Sequence, residues 1–63
     1  MNSKTKKKHL KNIIDLQNQI MLLQHQNIIF HANYNYSYSA KIYENNIKIM
    51  DLRFQLIHLQ KAD

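Results

Sequence analysis

The sequence predicts an all-α fold: an antiparallel two-helix hairpin of coiled-coil type, completed by dimerisation into a four-helix bundle or by docking on a partner. Its 63 residues include no Gly and no Pro, the residues that most often interrupt a helix. Two stretches carry apolar residues at alternating spacings of three and four, as one face of a helix does. A segment rich in Asn, Ser and Tyr separates them, so the chain is expected to reverse there.

Composition limits the class of protein. A domain of this size buries only about 60% of the surface that its unfolded chain exposes. The absence of Cys excludes a disulfide framework and a thiolate metal site, and small domains without them usually gain stability by association. No run approaches the roughly 18 apolar residues of a membrane span. We therefore expect no span and a cytoplasmic location, with an organellar matrix as the alternative.

Residues 1–8 are predicted to form a flexible basic arm ahead of a hairpin domain at 9–63. The net charge of +5 equals the charge of five lysines near the start, because the other basic residues balance the acidic ones. These lysines are Lys4, Lys6, Lys7, Lys8 and Lys11. The arm is either a solvated tail that maintains solubility or a binding site for nucleic acid. It has no Arg, Gln or aromatic side chain to read bases, so it would position a nucleic acid without selecting its sequence.

The first helix is expected at about 8–31. Its seam, the stripe that faces the second helix, steps by three and four through Ile13, Leu16, Ile20, Leu23, Asn27 and Phe30. Other apolar residues lie off this seam, at Ile14, Met21, Leu22, Ile28 and Ile29. This helix therefore has more apolar surface than one neighbour covers.

A turn is expected at about 32–39. Asn33 or Asn35 is expected to end the first helix, and Ser37 or Ser39 to cap the second. The heptad register slips by one residue between the two seams, which argues against one continuous coiled coil. The tyrosines Tyr34, Tyr36 and Tyr38 are expected to close the turn, with stacking on bases as the alternative.

The second helix, at about 40–61, carries two apolar stripes. Its seam runs through Ile42, Asn45, Ile49, Leu52, Leu56 and Leu59. The outer stripe, on nearly the opposite face, consists of Tyr43, Ile47, Met50, Phe54 and Ile57. A helix that is apolar on two faces needs two partners. The outer stripe is therefore predicted to be the partner-binding surface.

Reversal around Tyr36 pairs seam residues whose numbers sum to 72, so that Asn27 meets Asn45. Buried Asn pairs lower stability and fix the register of a coiled coil, so these two are predicted to be register-fixing polar core residues. The alternative is that both amides bind water near the turn.

Residues for chemistry are scarce. The histidines His9, His25, His31 and His58 lack the spacing that places two metal ligands on one helix face, so they are expected at the surface. No Ser lies beside an evident base. The sequence thus predicts no catalytic residue, no metal and no cofactor.

Two resemblances suggest other roles. In size and architecture the chain resembles the two-helix sporulation aspartyl-phosphate phosphatases, which carry a Ser four residues before an Asp on the second helix. Ile47 stands at that spacing before Asp51, so the resemblance implies a degenerate binder of a response regulator. The run Asp51–Leu56 is similar to the end of the first helix in a small hairpin-forming large-subunit ribosomal protein. That resemblance implies RNA binding.

The sequence favours a small non-enzymatic helical protein that acts by protein–protein contact, as a homodimer or as a subunit of a larger assembly. The first alternative is a nucleic-acid-binding protein that uses the basic arm, and the second is the response-regulator binder.

Overall fold

The computed structural model consists of two long α-helices packed against each other as a hairpin. Helix α1 spans Ser3–Ala32 and helix α2 spans Tyr36–Lys61. The structure describes residues 3–33 and 36–61, with the backbone alone at 36 and 37. The Cα atoms extend over 50 × 15 × 10 Å, which is the shape of a short rod. The predicted all-α hairpin is confirmed.

Both helices begin earlier than the sequence suggested. Helix α1 starts at Ser3, where about residue 8 was expected, and α2 starts at Tyr36, where about 40 was expected. Lysine is a good helix former, and nothing in the basic segment interrupts a helix. Around Tyr38 the mediocre propensity of Ser and Tyr is outweighed by packing against α1. The expected caps Ser37 and Ser39 therefore lie inside α2.

The end of α1 is closed by Asn33. Its backbone N–H donates to the carbonyl of Phe30 at 3.3 Å, and its side-chain amide donates to the carbonyl of Ile29 at 2.8 Å. These bonds satisfy two of the carbonyls that the last turn of a helix leaves free. The other candidates for the turn, Tyr34 and Asn35, lie outside the described residues, as does the side chain of Tyr36.

An aromatic contact joins the helices next to the turn. The rings of Phe30 and Tyr38 are stacked with centroids 4.9 Å apart and planes 29° apart. The Lys41 ammonium lies 5.6 Å from the Tyr38 centroid and 5.8 Å from that of Phe30, within the range of a cation–π contact. Of the three tyrosines expected to close the turn, Tyr38 packs next to it, on Phe30.

The core is a single seam between the two helices. Leu16, Ile20, Ile49 and Asn45 are buried. All the other predicted seam positions are half-buried, and outside the seam only His9 and Tyr38 share that burial among the described side chains. None of the described large side chains is fully enclosed. The core is therefore one layer deep, and its stability depends on few residues.

Leu16 and Leu22 provide a matched test of this core, since they lie on the same helix and are 8% and 64% exposed. Leu16→Ala should lower the free energy of unfolding by about 2–5 kcal/mol, because it removes buried methyl groups and leaves a cavity. Leu22→Ala should change it by less than about 1 kcal/mol. Urea titration followed by circular dichroism measures both, and equal losses would contradict the assigned seam.

Candidate interaction surface

The outer stripe of α2 lies in solvent in the single chain. Tyr43 is 68% exposed, Phe54 62%, Met50 59%, Ile47 51% and Ile57 45%. A helix turns about 100° per residue, which places these side chains about opposite the buried Asn45 and Ile49. The stripe therefore faces away from α1, as its spacing predicted.

Polar residues border the stripe on both flanks. Glu44, Asp51 and His58 follow one edge and Asn46, Arg53 and Gln60 the other, all exposed. Gln55 donates from Nε2 to Asp51 Oδ2 at 2.9 Å, one turn apart on the helix surface. An apolar stripe with spacings of four and three between two charged edges is the arrangement of a coiled-coil seam. This geometry suits docking of a second helix.

Helix α1 also exposes apolar side chains, in two groups. The first group is Leu22 and Ile29. Leu22 lines a shallow open groove together with Gln26, Lys48 and Asp51, and Ile29 lies one heptad later on the same face of α1. Met21 precedes Leu22 and is rotated from it by about 100° around the helix, so it belongs to the second group. That group consists of Leu10, Ile14, Met21 and Ile28, which are 52–67% exposed. Sequence reasoning missed Leu10, which lies four residues before Ile14.

The sequence-predicted amide pair is in contact. Asn45 donates from Nδ2 to Asn27 Oδ1 at 3.0 Å and to Gln26 Oε1 at 3.2 Å. Asn27 donates from its own Nδ2 to Asn46 Oδ1 at 2.9 Å. Asn45 is buried, and its amide has partners from α1 as a buried polar group requires. Asn27 and Asn45 therefore meet at the same level of the hairpin, as predicted. Their role in fixing the register stays a prediction.

The basic residues near the start lie on the first turns of α1. Lys4, Lys6, Lys7, Lys8 and Lys11 are all exposed. The helix has no acidic residue in its first turn, so the lysine charges stand next to the positive end of the helix dipole. An anionic partner would relieve this repulsion. The division into an arm and a hairpin stays a prediction.

The histidines differ from expectation at one position. His25, His31 and His58 are exposed, but His9 is half-buried. It lies four residues before Ile13 and so continues the seam, a signal that the sequence contained. In the described part of the structure, its Nε2 is shielded from solvent without a hydrogen-bond partner. Within residues 3–33 and 36–61, no three His, Cys, Asp or Glu side chains are grouped to hold a metal ion.

The chain matches none of the protein families, curated proteins or solved structures with which it was compared. Over the described residues, neither helix combines the length and hydropathy of a membrane-spanning segment.

The amide cluster generates a stability prediction. Asn45→Ala should lower the free energy of unfolding by about 1–3 kcal/mol, because the half-buried Asn27 Oδ1 loses its donor and a buried side chain is removed from the seam. The control Asn18→Ala removes the same side chain from an exposed position of α1, so it should change stability by less than about 0.5 kcal/mol.

Replacement of both amides, as Asn27→Leu with Asn45→Leu, should instead raise stability above that of the parent, since apolar contacts replace desolvated polar groups. Chemical denaturation measures all of these variants. If Asn45→Ala behaves like Asn18→Ala, the cluster contributes nothing to the fold.

Proposed function

We propose that this chain is a small, non-enzymatic helical interaction protein. It acts by protein–protein contact through the outer stripe of α2, as a homodimer or as a subunit docked on a larger protein. The observation that carries the proposal is the exposure of five large apolar side chains in one continuous helical stripe.

The energetic argument follows from that exposure. Covering a large apolar side chain is worth about 1.5–3 kcal/mol when it is complete, and Tyr43 and Phe54 each retain more than half of their surface in water. Exposed apolar residues scattered singly are ordinary, whereas a contiguous stripe indicates an interaction site. The intramolecular seam is thin, so association would also supply stability that a chain of this size lacks.

The positions of the Asp, Ser and His side chains support a non-catalytic role. Asp15 and Asp51 are exposed on different helices, and Asp51 is bonded to Gln55 along its own helix. Ser39 and His31 both lie next to the turn, and in the described part of the structure no hydrogen bond joins them. A nucleophile requires an adjacent base to be activated, and these pairs do not supply it.

Met50→Glu combined with Phe54→Glu should abolish association, because two carboxylates in the stripe would have to be desolvated in the interface. The variant should remain helical, since both sites are exposed in the single chain. Sedimentation equilibrium would show a mass of 7.6 kDa for the variant and a larger mass for the parent.

The matched control is Leu22→Glu combined with Ile29→Glu, which adds the same charge at exposed apolar positions of α1. This control should associate as the parent does. If the parent and both variants sediment alike, and none binds a partner that the others lose, the outer stripe is not an interaction surface.

A second candidate function is nucleic-acid binding, favoured by the exposure of all five lysines at one end of α1. Phosphate neutralisation by lysines releases counterions, so the affinity of such a complex falls steeply with salt. Binding would not depend on base sequence, because lysine-phosphate contacts position a strand without reading it.

Substitution of these five lysines by Gln should remove binding to a fluorescent single-stranded RNA, measured by anisotropy at low and moderate salt. The exchange retains helix-forming side chains and deletes the charge. A control with Lys41, Lys48 and Lys61 changed to Gln should retain the affinity. RNA binding that survives the loss of the five lysines would eliminate this function.

A further inference from the structure

The outer stripe has the dimensions of a helix–helix interface between two copies of this chain. An aromatic side chain buries about 150–250 Å² in all, so Tyr43 and Phe54, which are more than half exposed, each contribute on the order of 100 Å², and the aliphatic members contribute somewhat less. The stripe would bury on the order of 500 Å² per copy, or about 1,000 Å² in total. That value stands at the lower limit of specific interfaces, in the range of weak or transient association.

The stripe is also self-complementary when two α2 helices run antiparallel. Ala40 lies one turn before Tyr43 and is exposed, so it extends the stripe. Aligned about the midpoint between Lys48 and Ile49, the stripe places Ala40 opposite Ile57 of the second copy. The same alignment places Tyr43 opposite Phe54 and Ile47 opposite Met50, and each pairing occurs twice.

Every layer of this alignment is apolar, and a small residue always faces a large one at the ends. A shift of the second copy by one heptad in one direction would bring Lys61 into the layer of Tyr43 and lose the contact of Ala40. A shift in the other direction would leave Ile57 beyond the start of the opposing α2 at Tyr36. A parallel arrangement would place Ala40 against its own copy, where the two methyl groups leave a gap. Interfaces are packed as densely as protein interiors, so the antiparallel alignment is favoured.

Charge favours the same orientation. The lysines near the start of α1 carry a charge equal to the whole net charge of +5. Antiparallel copies place these two clusters at opposite ends of a rod whose long dimension is 50 Å. Parallel copies would place both at one end, where like charges repel most strongly at low salt.

We propose that two copies of this chain dimerise through α2, antiparallel, with the four helices in the order α1, α2, α2 of the second copy, α1 of the second copy. This inference rests on the proposed function and specifies the partner of the same surface. It has one electrostatic consequence. Corresponding edges meet in antiparallel coiled coils. On the edge that carries Glu44, Asp51 and His58, Glu44 of each copy therefore faces Asp51 of the other.

Glu44→Lys therefore converts two repulsive contacts into attractive ones. At low salt it should tighten the dimer by about three- to tenfold, as measured by sedimentation equilibrium. Glu44→Lys combined with Asp51→Lys should return the affinity toward that of the parent, since Lys would then face Lys. The control Asp15→Lys makes the same charge change at an exposed site on α1 and should not tighten the dimer. A parallel dimer would show no gain, because Glu44 would face Ser39.

Cysteine cross-linking tests the orientation independently, because the chain has no Cys of its own. Ala40→Cys chains mixed with Ile57→Cys chains should form a disulfide between the two kinds of chain upon mild oxidation. Either variant alone should not, since identical positions would lie 17 residues apart, about 25 Å along the helix, far beyond disulfide reach.

Disulfides between two Ala40→Cys chains would overturn the antiparallel arrangement and leave the proposed function intact, provided that Met50→Glu with Phe54→Glu still prevents association. Absence of self-association in the parent at any concentration would overturn the dimer itself. If the parent dimerises but Glu44→Lys and Asp15→Lys change its affinity equally, the acidic edges do not meet and the proposed alignment is wrong.

Discussion

The structure depends on one imbalance: α2 is apolar on two faces, and α1 covers one of them. Ile49 is 6% exposed, while Met50, the next residue, is 59% exposed. One step of about 100° around the helix thus separates the core from a large side chain in water. The hairpin buries the inner face in the seam, and the outer face stays exposed in the single chain.

The seam is thin because a two-helix hairpin has no third layer to enclose its core. Even the buried Leu16 and Ile20 are each 8% exposed. In this thin core, the buried Asn45 is bonded to Gln26 and Asn27, so a polar layer crosses the seam without an unsatisfied amide. Such a layer is expected to contribute little net stability, and its role in fixing the register stays a prediction.

Much of this arrangement could be predicted from residue spacing. The alternation of three and four identifies the seam from Ile13 to Phe30 and from Ile42 to Leu59, because burial on a two-helix interface follows helical periodicity directly. The contact of Asn27 with Asn45 follows once the chain is reversed. The starts of both helices could not be placed, since Lys at one and Ser and Tyr at the other are permissive residues. At the start of α2 the structure is decided by packing, such as the stacking of Phe30 on Tyr38, whereas the exposed start of α1 forms through the helix propensity of lysine. His9 was assigned to the surface because its spacing was compared with the other histidines and not with Ile13.

The outer stripe was also evident from spacing, but spacing alone does not identify what covers it. Sedimentation equilibrium of the unmodified chain over a wide range of concentrations tests the central claim most directly. The account predicts a mass that rises from 7.6 kDa toward twice that value as the concentration is raised. A mass of 7.6 kDa at every concentration, with the chain still folded and helical, would contradict it.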